Sequence, residues 1–124
     1  MTIEELYLEI GGDYEQAIRV LRVDKLIAKH IRKFPDNGVV DRLIEAEKNM
    51  DPKEMFESAH AVKGVCSNLG LSELASISSE LSEEFRPGNS RMLSDAEVSQ
   101  KVDRLKELYE RTLEGIHRYE STVE

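Results

Sequence analysis

Through most of this chain apolar residues return every three or four positions, and the interruptions fall at glycine, proline or short polar residues able to cap a helix. That rhythm is the period of an α-helix; a half-buried strand would alternate every second residue. The pattern confines the chain to a stack of amphipathic helices. Ile3, Leu6, Tyr7 and Ile10 make the first stripe. Thr2 and Glu5 are spaced as a reciprocal capping box before it, and Gly11-Gly12 ends it. Asp13 and Gln16 open a second short helix with Tyr14, Ala17, Ile18 and Leu21 turned inward. Asp24 is expected to cap a third helix through Phe34, on which Val23, Ile27, Ile31 and Phe34 recur at helical spacing. Pro35 stops it, because the residue before a proline is pushed out of the α region. Asp36 is expected to cap a fourth helix through about Lys48, with Val39, Val40, Leu43 and Ile44 inside.

Asp51-Pro52 opens a long helix: aspartate is a good N-cap, proline suits the first helical position, and Glu54 completes the cap. Gly70 closes it. A return helix begins at Leu71 or Ser72 and carries Leu74, Ile77, Leu81 and Phe85. Pro87-Gly88-Asn89 reads as a loop, and Ser94 with Glu97 as a second capping box. The last helix follows with Val98, Val102, Leu105, Tyr109, Thr112 and Ile116. Short connections between long amphipathic helices favour antiparallel neighbours. The expected fold is therefore all-α: an antiparallel up-down four-helix bundle with short additional N-terminal helices covering one end. At 124 residues and 40% hydrophobic content, with no linker and no repeat, the chain fits a single domain over 1–124.

Composition removes several function classes. The formal charge of −8 argues against a nucleic-acid binder and against docking on an anionic membrane. A single cysteine, Cys66, permits no internal disulfide and falls on a core face. No apolar run approaches a membrane span, and the N-terminus has no secretory signal, so a cytoplasmic location is expected. His30 and His117 lack a ligand partner at helical spacing, and no metal site is expected from them. Glu80, Glu83 and Glu84 read as a solvated face rather than an acid/base pair.

Chemistry concentrates in the long helix. Met55, Ala59, Val62, Val65, Cys66 and Leu69 cluster on its core side. His60, Gly64 and Ser67 fall on roughly the opposite side, with Lys63 at the margin and Phe56 one turn before the histidine. An ordinary imidazole titrates near about 6.5, so at neutral pH it offers a lone pair that can attack a phosphoryl group and later release it. Phosphoryl transfer depends mostly on positioning and charge neutralisation. Lys63 supplies a point charge for phosphoryl oxygens. Gly64 removes a side chain where a partner's backbone would approach, although a mid-helix glycine costs about 0.5–1 kcal/mol against alanine. Phe56 suits either a docking patch or packing beneath the N-terminal helices. No phosphate-cradling loop or kinase motif is present, so the chain has no means of making a phosphodonor from ATP.

The run Ala59-His60-Ala61-Val62-Lys63-Gly64, with Phe56 before it and Leu69-Gly70-Leu71 after it, resembles the signature of histidine-containing phosphotransfer (HPt) domains. The resemblance implies a phosphocarrier rather than an enzyme, phosphorylated on His60 with Lys63 and Gly64 beside it. It implies exchange with response-regulator receiver domains and a hybrid sensor histidine kinase, with the receiver contributing an aspartate and Mg²⁺ and this chain binding no cofactor. Phe56 and Ser67, from their place on the outer face of the long helix, and Ser82, from the resemblance, are the candidate partner-docking positions. Some family members place a glutamine 22 residues beyond the histidine, where this chain has Ser82, a shorter donor that can act through water. A capped helix directly after Met1 favours a stand-alone protein, and a monomer is expected. Two rival readings are a non-phosphorylated helical adaptor that binds receivers and a metal- or cofactor-binding bundle. The intact His60, Lys63 and Gly64 count against the first. The absence of inward Glu and Glu-x-x-His sets counts against the second.

Overall fold

A computed structural model of the chain describes residues 1–122. Among the described residues there are seven α-helices: α1 (Ile3–Ile10), α2 (Tyr14–Leu21), α3 (Asp24–Lys33), α4 (Val39–Glu47), α5 (Pro52–Asn68), α6 (Ser72–Glu84) and α7 (Asp95–Thr122), with a 3-10 turn at Phe34–Asp36. The last four close a ring in which α5 packs along α4 and α6, α6 meets α7, and α7 returns to α4. This is the expected antiparallel up-down four-helix bundle. The short N-terminal helices lie against it, α1 on α7, α2 on α5, and α3 between α1 and α7.

One continuous apolar core holds these elements. Leu6, Ile27, Ile31, Leu43, Met55, Val62, Leu81, Leu105 and Ile116 are among its buried side chains, and they come from every α-helix except α2, which adds Ala17. Burying a residue of this size is worth about 1.5–3 kcal/mol. Val65, expected in the core, is only partly buried and packs at its margin.

Most helix starts follow the local chemistry. Thr2 and Glu5 form the capping box of α1. Asp13 accepts from the Gln16 amide, Asp51 from the Glu54 amide, and Ser94 with Glu97 caps the last helix reciprocally. Two expected caps are corrected. Asp24 is the first residue of α3, which starts after Val23 with no side-chain cap; its carboxylate instead accepts the hydroxyl of Tyr14 on α2. That bond across the α2–α3 corner competes with capping and wins. Asp36 lies in the 3-10 turn, and α4 starts after Gly38, with the Asn37 side chain accepting the Val39 amide. Pro35 ends α3 as expected but continues into this tighter turn.

Close approaches lock the N-terminal helices to the bundle. Gly70, at φ 69°, terminates α5, and its carbonyl accepts the Asp13 amide at 2.7 Å. A Cβ there would collide with the Asp13 carbonyl, so the position requires glycine both for its left-handed backbone and for space. The Tyr7 hydroxyl donates to the neighbouring Leu69 carbonyl, and burial pushes that phenol well above its ordinary value. Gly115 on α7 performs the same service for α1, because a Cβ would strike Ile10. The Leu69-Gly70 pair is thus the joint between the α5–α6 hairpin and the N-terminal helices.

Glu84 corrects the reading of an entirely solvated acidic face. It is buried, and its Oε2 accepts the backbone amides of Met92 at 3.0 Å and Leu93 at 2.8 Å and the Arg91 guanidinium at 3.3 Å. One carboxylate therefore ties the α6–α7 connection back onto α6. Glu80 and Glu83 are exposed, as expected.

Candidate functional site

The site sits in the middle of α5. Asp51 caps that helix and Pro52 occupies its first turn, while Met55, Ala59, Val62 and Cys66 are buried on one side. Fixing those four inward forces the other side out. His60 and Gly64 are exposed, Lys63 and Ser67 half-buried, in the order expected from a 100° turn per residue. Burial pushes the Cys66 thiol up to about 12, far from the range of a nucleophile at neutral pH.

An ideal Cβ built on Gly64 meets nothing within 4 Å. No packing inside the molecule demands glycine there, and the helix carries its conformational cost for no internal return. The surface above it is open along the stripe from His60. Lys63 forms no ion pair among the described residues. With Ser67 it borders an open groove of about 350 Å³ between α5 and α6, where Ser79 faces them.

Phe56 is half-buried against the core, and its ring stacks on the His60 imidazole at 5.7 Å between centroids and 23° between planes. The contact is the i, i+4 neighbour relation of one helix, in the offset geometry aromatic rings prefer. Phe56 is therefore partly covered, by the core on one side and by His60 and Arg86 on the other. The Arg86 guanidinium, just beyond α6, covers the same ring at 5.3 Å. Glu83 holds Arg86 through bonds of 3.0 and 2.7 Å. Those bonds keep the Glu83 carboxyl below its ordinary value, and Lys63 adds a smaller pull in the same direction. On the other flank Arg42 of α4 binds Glu54 at 2.7 Å and Glu57 at 3.4 Å, which fixes α4 against the N-terminal half of α5.

Ser82, expected at the partner-docking surface, is instead buried. It is 1% exposed, and its hydroxyl, like that of Ser78, has no hydrogen-bond partner. Ser78, Ser82 and Arg86 follow at four-residue steps along one stripe of α6, and Arg86 reaches Phe56, so this stripe faces α5. The serines are small enough to lie within the tight α5–α6 seam, and burial removes Ser82 from the docking surface. Arg86 was not identified from the sequence. It lies 26 residues beyond His60, and only the antiparallel return of α6 brings it back to the histidine's turn.

Among the described residues no group of three or more His, Cys, Asp or Glu is placed to hold a metal ion, and no helix is long and apolar enough to cross a membrane. The arrangement presents a nucleophilic ring, one unpaired cation and an unobstructed approach. Searches among curated proteins and solved structures found no significant match. The sequence profile of the Hpt domain matches residues 14–115, which spans α2 to α6 and most of α7. By that match, over well more than half of its length, the chain belongs to the Hpt domain family, the histidine phosphotransfer modules of two-component phosphorelays.

Proposed function

We propose that the chain is a single-domain phosphocarrier that accepts a phosphoryl group on His60 from the aspartate of a receiver domain and passes it to another. The observation that carries this reading is the empty space over Gly64, one turn from an exposed His60. A neutral imidazole nitrogen attacks the phosphorus of the partner's acyl phosphate. The N–P bond forms as the P–O bond to the aspartate breaks, and the carboxylate leaves with the electron pair. The other ring nitrogen keeps its proton, so the phosphorylated ring is cationic. By analogy with the family, Nε2 is the attacking atom, because it is the ring nitrogen farther from the backbone.

The neighbours have separate roles in this scheme. Lys63 neutralises phosphoryl oxygens during transfer. Phe56 keeps the imidazole plane fixed and offers its π-face to the cationic ring, and Arg86 with Glu83 holds Phe56 in place. Ser67 lies farther along the same approach. The Mg²⁺ that phosphoryl transfer requires comes from the receiver in this reading.

Mixing the purified chain with a phosphorylated receiver should label His60 with acid-labile, base-stable phosphate. His60→Gln should take no label, and Lys63→Ala should slow transfer about 10-fold or more while the helical circular dichroism stays unchanged. Receiver binding by the wild-type chain without any label would select the adaptor reading instead.

A further inference from the structure

Charge is divided unevenly along this chain. Residues 19–33 hold six Lys/Arg against one Asp, a net +5, while the other 109 residues hold 11 Lys/Arg against 24 Asp/Glu, a net −13. The six cations are Arg19, Arg22, Lys25, Lys29, Arg32 and Lys33, and all are exposed on the end of α2 and on α3. None of them forms an ion pair with a described residue. Nine of the other eleven basic residues do, and the exceptions are Lys53 and Lys63. In a molecule this rich in carboxylates, six neighbouring unpaired cations leave a positive field directed outward.

The same face exposes apolar side chains: Val20 is 41% exposed, Val23 50% and Leu26 40%. Beside them a groove of about 330 Å³ runs between α2, α3 and α5, with Val20, Phe34 and Val65 in its walls and His30, Lys33 and Asn68 also lining it. Asn68 continues the His60–Gly64 stripe of α5, about 12 Å along the helix axis from the histidine. The groove therefore opens onto the end of the surface over which a phosphoryl donor must approach.

We propose that the α2–α3 face with this groove is the platform on which the exchanging receiver docks, through an acidic surface patch carrying an apolar side chain that seats in the groove. This rests on the reading of His60 as the phosphorylated residue. Charge complementarity draws the partner in and sets its orientation, and the apolar contact holds it while its aspartate lies over His60. A nucleic acid or an anionic membrane fits less well. The positive face spans two short helices and is bordered by the net −13 of the remaining chain, which opposes an extended polyanion within a Debye length of about 8 Å. A groove walled by valine and phenylalanine also suits a side chain rather than a phosphate backbone.

The test uses the full chain with a phosphorylated receiver as donor and follows transfer kinetics at about 50 and about 500 mM NaCl. The triple variant Lys25→Glu, Lys29→Glu, Arg32→Glu should raise KM about 10-fold or more at low salt, with most of the effect in KM rather than kcat, and should flatten the salt dependence. Val20→Asp should raise KM at both salt concentrations. The combined change Lys48→Glu, Arg104→Glu, Lys106→Glu, at the end of α4 and on α7, reverses the same number of charges away from the α2–α3 face and is the charge-matched control for a general effect of net charge. If the wild-type chain takes no phosphate on His60 from the receiver or from phosphoramidate, the parent reading fails. If it does take phosphate and the triple variant matches the KM and salt profile of the control, this proposal alone is overturned. It is equally overturned if the triple reversal abolishes binding to duplex DNA or phosphatidylserine vesicles and leaves KM unchanged.

Discussion

Gly64 shows how a single residue separates stability from function in this chain. Among the described residues, nothing beyond the helix's own backbone lies within 4 Å of a Cβ at that position, and the surrounding helix is regular. Gly64→Ala should therefore stabilise the bundle by about 0.5–1 kcal/mol, or raise Tm by about 2–4 °C. The same methyl narrows the approach to His60, and a longer side chain narrows it further, so Gly64→Gln should slow phosphotransfer from a receiver more than Gly64→Ala does. Thermal melts and transfer rates on the two variants check both halves; a lower Tm for Gly64→Ala would contradict the open surface. Gly70 is the opposite case. Its backbone is left-handed and the Asp13 carbonyl abuts it, so Gly70→Ala should destabilise the fold and loosen α2 from α5. Arg22 carries a different local constraint. At φ 76° and ψ −41°, with the Val23 amide bonded to the Leu21 carbonyl, it forms a γ-turn of the rare positive-φ kind. That turn sets the α2–α3 corner on which the basic face is displayed.

Among the elements, α5 and α6 behave as one hairpin, and the connection that follows them is the part least predictable from local rules. Residues after Glu84 have turn chemistry, Pro87-Gly88-Asn89, but no helix or strand to hold them. Glu84 takes that role by accepting two backbone amides and one guanidinium. Glu84→Ala should leave the Met92 and Leu93 amides without an acceptor, at a cost of about 1–3 kcal/mol. Hydrogen exchange should quicken at those two amides before it quickens in α5. Unchanged protection there would show that Glu84 is not the staple. Local caps were easier to read. Asp13, Asp51 and the Thr2 and Ser94 boxes depend on spacing within one turn, and each formed as spaced. Asp24 failed as a cap because Tyr14, on a different helix, competes for its carboxylate.

For the molecule as a whole, acid sensitivity follows from its carboxylates. Hydrogen bonds hold Glu5 and Glu97 below their ordinary values at capping-box amides, and Arg42 and Arg86 do the same for Glu54 and Glu83. A carboxyl lowered on folding adds stability above its unfolded value, near about 4.3, and loses it as pH falls toward the folded value. Tm should thus be nearly flat from about pH 7 to about pH 5.5 and drop progressively below about pH 4.5, earlier in high salt where the arginine pairs are screened. Calorimetry across that range tests the sign; a bundle that gains stability on acidification would refute it. On the alkaline side the raised Cys66 thiol acts in reverse. Its contribution is present below the ordinary thiol value of 9.0 and fades as pH rises through about 12.

How much of this was legible in advance depends on the range of the forces involved. Helix number, most caps, the inward set of α5 and the outward position of His60 follow from periodicity and spacing within a few residues, and these the chain alone determined. The resemblance around His60 is likewise local. Tertiary structure decided the rest. Arg86 joins the site only because α6 runs back along α5, Ser82 leaves it because the same seam is tight, and Glu84 is buried because a loop folds over it. The basic stretch at 19–33 is visible as letters, yet its availability is a long-range result: among the described residues, packing pairs none of its cations with a carboxylate. Local geometry is written by backbone hydrogen bonds a turn apart, whereas partners distant in sequence are chosen by how whole helices bury their apolar faces together.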